Sequence, residues 1–301
     1  MKLLYIGGLE HSGTTLTEQL LSSHPRSLSL GEIASFFSPS HMQAYLRAWG
    51  DHDDVRRCSC GRDWEDCSFW GQLSHLNGLN SDLPLVEKYA QLIRFIRHHL
   101  GDDVLVTDSS KSVEALDALR TALRSEAAGQ DRFGLILVTK DVRSFTASMK
   151  RKSGSKGLLS AFRSMNYWSH ANTKWLRYLA ADPSIPHRIN LYEHLCLDTL
   201  GQVNGLLAMV EEAPLPSLDI ANTRSHIAMG NKDFLMRNRS RVRYDQRWFT
   251  DDAILLAYLV NSSARRLNHR FYRMGQQLAP QTCPGVHRSE AVESGRGDRP
   301  G

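Results

Sequence analysis

No run of about eighteen apolar residues occurs in the 301-residue chain, so no membrane-spanning helix is expected. Its first residues pass straight into a β-prone segment, without the basic, apolar and small-residue order of a secretory leader, and a cytoplasmic location is expected. Lysine and arginine occur singly or in short clusters and never build a long basic arm. That argues against a nucleic-acid partner. The formal net charge of +5 is modest and suits an anionic small ligand. No internal repeat is present. Hydrophobic residues make up 41% of the chain, enough for a substantial core. The length suits one α/β domain with insertions better than two independent domains.

One absence is more specific. Lys2 to Ile6 reads as an apolar strand ended by Gly7-Gly8, and Gly13-Thr14-Thr15 opens an amphipathic helix. Gly8 and Gly13 have the spacing of the G-x-x-x-x-G-K-[ST] phosphate loop, yet Thr14 stands where that loop carries lysine. Backbone N–H groups and the helix dipole still favour an anion over Gly13 to Thr15. The charge that reads a triphosphate is gone. A donor with one phosphate-like group at its 5′ end fits this loop better than ATP does.

Along the rest of the chain, Glu32 follows Gly31 soon after the first helix and, by itself, reads as a solvated carboxylate. Residues 36–80 read as an insertion holding Cys58, Cys60 and Cys67. Three thiols within ten positions are compatible with a Cys₃His zinc site. His52 and His75 are the nearest fourth ligands, neither at a diagnostic spacing. Reduced structural thiols are the preferred reading, and a disulfide is disfavoured. Leu85 to Leu100 has helical periodicity. The strand Val104 to Thr107 runs into Asp108-Ser-Ser-Lys111, which puts Lys111 on the edge where open α/β sheets bind ligands.

A helix from Val113 to Arg124 precedes Phe133 to Thr139, an apolar run expected of a strand buried on both faces. Lys140, Arg143 and Ser148 follow it and could hold a second phosphate, or simply form a basic helix face. Leu158 to Ala181 is an aromatic-rich helix, Arg188 to Tyr192 a fourth strand, and Leu200 to Val210 a helix. His226 to Lys232 begins a cationic loop, Ala253 to Met274 is the closing helix, and 276–301 reads as a disordered tail. Strands alternating with helices predict a P-loop-like open parallel sheet with helices on both faces, in a single domain over 1–275.

Five separated pieces, in order, resemble the sulfotransferases that use 3′-phosphoadenosine 5′-phosphosulfate. HSGTTL is similar to their 5′-phosphosulfate loop, and LVTKDVRSFTASM to their 3′-phosphate strand and helix. DSSK, INLYEHLCLDT and HIAMGNKDFLMR with DQRW resemble further segments of tyrosylprotein, carbohydrate and bacterial members. The resemblance implies that Ser12, Gly13, Thr14 and Thr15 hold the 5′ group, with His11 and Lys111 beside the sulfuryl group. It implies Lys140, Arg143 and Ser148 at the 3′-phosphate, Tyr192 near the adenine, and Gly230, Asn231 and Arg237 in the closing loop. It implies Glu32 as the base that takes the acceptor proton. The chain departs from the pattern at His11 and Lys140, where relatives usually have arginine.

The implied reaction is in-line displacement at sulfur by a small-molecule, sugar or peptide hydroxyl, with no metal required. Two other readings remain open at this point. One is a small-molecule kinase of the P-loop class; the other is a non-catalytic nucleotide-binding module.

Overall fold

The computed structural model describes residues 1–49, 56–75, 82–126, 131–220, 225–230 and 242–277. Its central strand is β1 (Lys2–Gly8), flanked by β3 (Leu105–Asp108) on one side and β4 (Arg132–Thr139) on the other. Beyond β4 lies β5 (His187–Leu191); beyond β3 lie β2 (Ser27–Gly31) and then β6 (Ser225–Met229). The order is β5-β4-β1-β3-β2-β6, and every pairing is parallel. Parallel neighbours need crossovers, which the helices supply.

Side chains alternate across a strand, and β1 uses both faces. Leu3 and Tyr5 join one core with Leu135, Leu137 and the helices α5 (Leu85–Leu100), α6 (Val113–Ser125) and α8 (Leu158–Ala181). Leu4 and Ile6 join a second core with Ile136 and Val138. That second core is closed by α1 (Thr14–Leu21), α9 (Tyr192–Leu197) and α10 (Thr199–Leu207). Helices on both faces of an open parallel sheet are as the sequence predicts.

Between β2 and α5 the chain forms α2 (Ile33–Phe37), α3 (Pro39–Trp49) and α4 (Trp70–His75), with the cysteine-bearing turn before α4. Phe36, Phe69 and Trp70 pack there edge to face or tilted, with centroids 4.6–5.0 Å apart. After β4 comes α7 (Val142–Ser153), whose N-cap Asp141 accepts from the Arg143 N–H at 2.8 Å.

Three readings change. Ser27–Gly31 is a strand, and Ser225–Met229 is an edge strand where a cationic loop is expected to begin. The closing helix is two, α11 (Asp252–Val260) and α12 (Ser262–Gln277). Asn261 separates them, since its side-chain oxygen accepts from the Ala264 N–H and so caps the second. Residues 278–301, most of the expected tail, lie outside the described residues.

Candidate active site

The C-terminal ends of β1, β3, β4 and β5 converge at the point where the chain reverses direction across the sheet. The loop from β1 enters α1 through Gly13, whose φ of +100° favours glycine. A Cβ there would also lie 2.8 Å from the Tyr192 ring. No side chain caps α1, so its first-turn N–H groups are free for a ligand. Beside them, Ser12 Oγ and His11 Nε2 are buried without a partner. Buried polar atoms seldom stay unpaired, and these two fit an anion seated on the helix N-terminus. His11 has φ of +62°, in the left-handed region that few residues other than glycine adopt. Burial, then the charges of Lys152, Arg151 and Lys111, pull its pKa down against the opposing pull of Glu10. That direction favours the neutral imidazole, which can donate one N–H.

Lys111, at the end of β3, is also held at φ +62°. Tyr5 of β1 fixes the turn: its hydroxyl donates to Ser112 C=O at 2.6 Å and accepts the Ser112 N–H at 3.0 Å. Ser112 Oγ then caps α6 by accepting from the Ala115 N–H. Lys111 Nζ donates to Glu32 Oε1 at 2.5 Å, with both side chains partly exposed. Glu32 is set by β6, since Met229 C=O accepts its N–H at 3.0 Å. The structure thus brings Glu32 and Lys111 together, 79 residues apart in sequence.

A second cradle forms where β4 passes into α7. Lys140 is buried, and its Nζ donates to Ser148 Oγ at 3.2 Å and to Asp245 Oδ2 at 3.4 Å. The ammonium also lies 4.4 Å from the Tyr192 ring centroid. Arg247 closes on the same Asp245 carboxylate at 2.5–2.7 Å. Burial lowers the Lys140 pKa, with Asp245 and Glu193 opposing. Burial pushes Asp245 up, but Arg247 and Lys140 more than offset it and hold it far below the carboxylate range.

Arg143 does not join this cradle. Its guanidinium takes Asp141 in two hydrogen bonds of 2.7 and 2.9 Å and lies over the rings of Trp248 and Tyr258 at 3.9 and 4.6 Å. The N-cap carboxylate two residues back captures it before it can reach past α7. Tyr192 lies between the cradles, its ring against Gly13 and its hydroxyl donating to Arg243 C=O at 3.1 Å. The chain leaves β6 at Gly230, next to the Glu32 contact, and is described again from Val242. Asn231 and Arg237 lie outside the described residues.

Several site-adjacent groups escape sequence reasoning. Glu18 on α1 is fully buried and accepts from Gly31 N–H (2.8 Å), Ser109 Oγ (2.7 Å) and Thr107 Oγ1 (3.4 Å). Burial pushes its pKa to about 7 despite those donors. It ties α1 to the ends of β2 and β3, and so to Glu32 and Lys111. Burial, reinforced by Asp141, also raises Glu193 to about 7; one of its oxygens accepts the Asp141 N–H at 3.0 Å. Asp245 is legible only as part of DQRW. The aromatic helix α8 mainly walls the core: Trp168 is buried and donates to Lys140 C=O at 3.1 Å, while Tyr167 reaches Glu10 at 3.0 Å.

The model of the sulfotransferase family matches residues 4–213. Among curated proteins, none matches the sequence. The sulfotransferase domain from the Synechococcus PCC 7002 olefin synthase superposes with a TM-score of 0.57 at 17% identity, over 86% of this chain and 94% of that one. The sulfotransferase domain from the curacin biosynthetic pathway gives 0.55 at 13% identity, over 89% and 96%. At these identities the two structures speak to the fold alone, whereas the family match spans most of the sequence. The chain belongs to the sulfotransferase family.

Proposed function

We propose that the chain transfers a sulfuryl group from 3′-phosphoadenosine 5′-phosphosulfate to a hydroxyl acceptor by in-line displacement. The observation that carries this reading is a pair of cradles separated by an aromatic ring. One is a lysine-free loop on α1; in the other, Lys140, Ser148 and Arg247 gather on a carboxylate. A nucleoside with anionic groups at both its 5′ and 3′ positions has use for both cradles. A triphosphate has use for only one.

The donor supplies the electrophilic sulfur and leaves as adenosine 3′,5′-bisphosphate. Ser12 Oγ, His11 and the first-turn N–H groups of Thr14 and Thr15 bind its 5′ end. Lys140 and Ser148 take the 3′-phosphate in place of Asp245, and Tyr192 lies against the nucleoside. Gly230, Asn231 and Arg237 contribute to donor binding, a role carried over from the family resemblance. Glu32 accepts the acceptor proton, and Lys111, leaving its pairing with Glu32, turns to the charge that develops on the leaving group. The scheme needs no metal at the reacting centre. The acceptor is a sugar, phenol, steroid or peptide hydroxyl, approaching from the Glu32 side. No described helix is long and apolar enough to cross a membrane, and the four cysteines among the described residues are free of disulfides, which suits a reducing, cytoplasmic setting.

The test is transfer of labelled sulfuryl groups from the donor to phenolic, sugar, steroid and tyrosine-peptide acceptors, without added magnesium. Turnover on at least one acceptor, with release of the bisphosphate, is expected. Phosphoryl transfer from Mg-ATP in its place would make the protein a kinase. Bisphosphate binding with no transfer to any acceptor would make it a nucleotide-binding module.

A further inference from the structure

Away from the cradles, the cysteine-bearing turn and the edge strand β6 meet at four side chains of one chemistry. Cys58, Cys60 and Cys67 are joined by His226, which is 159 residues from Cys67 in sequence. All four ligand atoms lie within 4.8 Å of one another. Cys60 Sγ is 3.8 Å from Cys67 Sγ, and His226 Nδ1 is 3.2 Å from Cys67 Sγ and 3.8 Å from Cys58 Sγ. His52 lies outside the described residues, and the sequence offered no signal for His226 beyond its being a histidine.

We propose that Cys58, Cys60, Cys67 and His226 bind one zinc ion in a closed, structural Cys₃His site. A tetrahedron with Zn–S of about 2.3 Å and Zn–N of about 2.0 Å has S···S edges of roughly 3.8 Å and S···N edges of roughly 3.5 Å. The Cys60–Cys67, Cys67–His226 and Cys58–His226 separations fall around those edges, and every other pair lies within 4.8 Å. A disulfide would instead need sulfurs at about 2.05 Å. Three thiolates and an imidazole are soft to borderline donors, which select zinc over magnesium or calcium. Four protein ligands leave no open position, so the ion holds structure and takes no part in the chemistry. Binding releases the thiol protons to solvent.

The surroundings orient the ligands. The Trp70 N–H donates to Cys67 Sγ at 3.5 Å, and Trp70 Nε1 donates to the His226 carbonyl at 2.5 Å. The Phe69 ring stacks on His226 with centroids 5.5 Å apart. Ser59, between two ligands, bonds β6 through both its N–H and its hydroxyl. Its N–H donates to Ile227 C=O (3.0 Å), its Oγ donates to Ser225 C=O (2.9 Å), and it accepts the Ile227 N–H (2.9 Å). Cys58 and Cys67 are buried and Cys60 is exposed, which gives the ion an entry path. The staple acts on the strand whose Met229 carbonyl holds Glu32, yet the metal site stands whether or not the sulfuryl reading does.

Elemental analysis of the full chain, purified without chelator, should find about one zinc per chain. Cobalt exchange should give the visible absorption of a tetrahedral thiolate site. Cys60→Ser, which alters the exposed ligand, should lower zinc affinity while circular dichroism stays native. His226→Ala should lose most of the zinc, whereas His75→Ala and Cys196→Ser should keep it. Protein that contains no zinc and takes up neither zinc nor cobalt on addition would overturn the proposal. So would iron in place of zinc, or loss of zinc in His75→Ala with retention in His226→Ala.

Discussion

The loop after β1 has no lysine of its own and leaves His11 Nε2 and Ser12 Oγ unpaired, whereas the site after β4 gathers Lys140, Ser148 and Arg247 on Asp245. The difference follows from the kind of charge each uses. Backbone N–H groups and a helix dipole are partial charges that stand in a folded protein without a counter-ion. A buried ammonium cannot: burial lowers the Lys140 pKa, and Asp245 and Glu193 oppose that. The first cradle is therefore ready as it stands, and the second must exchange a carboxylate for its ligand.

The largest effect should come from the residue that serves the chemistry of the first cradle and not its binding. If Glu32 is the base, Glu32→Gln should lower kcat by roughly 10²–10⁴-fold with bisphosphate affinity nearly unchanged. Parallel measurement of turnover and binding checks this; full activity in Glu32→Gln with loss in His11→Ala would give the role to His11.

Next, Lys140→Ala should weaken the bisphosphate by about 1.5–3 kcal/mol, the range of a charge-assisted hydrogen bond. AMP, without a 3′-phosphate, should bind almost as before. Calorimetric titration of both nucleotides separates these outcomes, and an equal loss for both would place the damage in the fold.

Glu18 belongs to the support of the first cradle but faces away from it, and its effect should appear in stability. Its folded pKa of about 7 exceeds the ordinary glutamate value of 4.5. The folded state therefore holds a proton that the unfolded state releases. The contribution of Glu18 is most favourable below about pH 4.5, falls as pH rises to 7, and stays at its least favourable above that. Glu18→Gln should gain on the wild type by about 2–3 kcal/mol between pH 5 and pH 8. Thermal melts across that range test it; a pH-independent difference would mean that Glu18 titrates normally.

The smallest effect should be at Asp245. Asp245→Asn keeps the shape but removes the charge with which a 3′-phosphate competes. The ratio of bisphosphate to AMP affinity should rise by about 5-fold, near 1 kcal/mol. A fall in that ratio would mean that Asp245 helps to bind the ligand.

How much of this was legible depended on whether the physical signal was local. Leu85–Leu100 and Leu158–Ala181 were read to the residue because one apolar stripe repeats along each. β2 is hard to read because its sequence, SLSLG, alternates leucine with serine although all five residues are buried. Ser29 is tolerated inside because its hydroxyl bonds Ser22 and Thr107 at 2.6 and 2.8 Å. β6 is hard to read because a five-residue edge strand has little pattern and, among the described residues, pairs only with β2. The loop, Lys111, Lys140 and Ser148 stood out because strand ends recur in sequence order. Asp245 and His226 did not, since Asp245 meets Lys140 across 105 residues and His226 meets Cys67 across 159.

The account turns on the donor having anions at two ends. Thermal melts should therefore compare adenosine 3′,5′-bisphosphate without magnesium, AMP, ADP and Mg-ATP. At about 100 times its Kd the bisphosphate should stabilise the protein by roughly 2.7 kcal/mol. At the same concentration AMP and Mg-ATP should do clearly less. Equal or greater stabilisation by Mg-ATP would contradict the two-cradle reading.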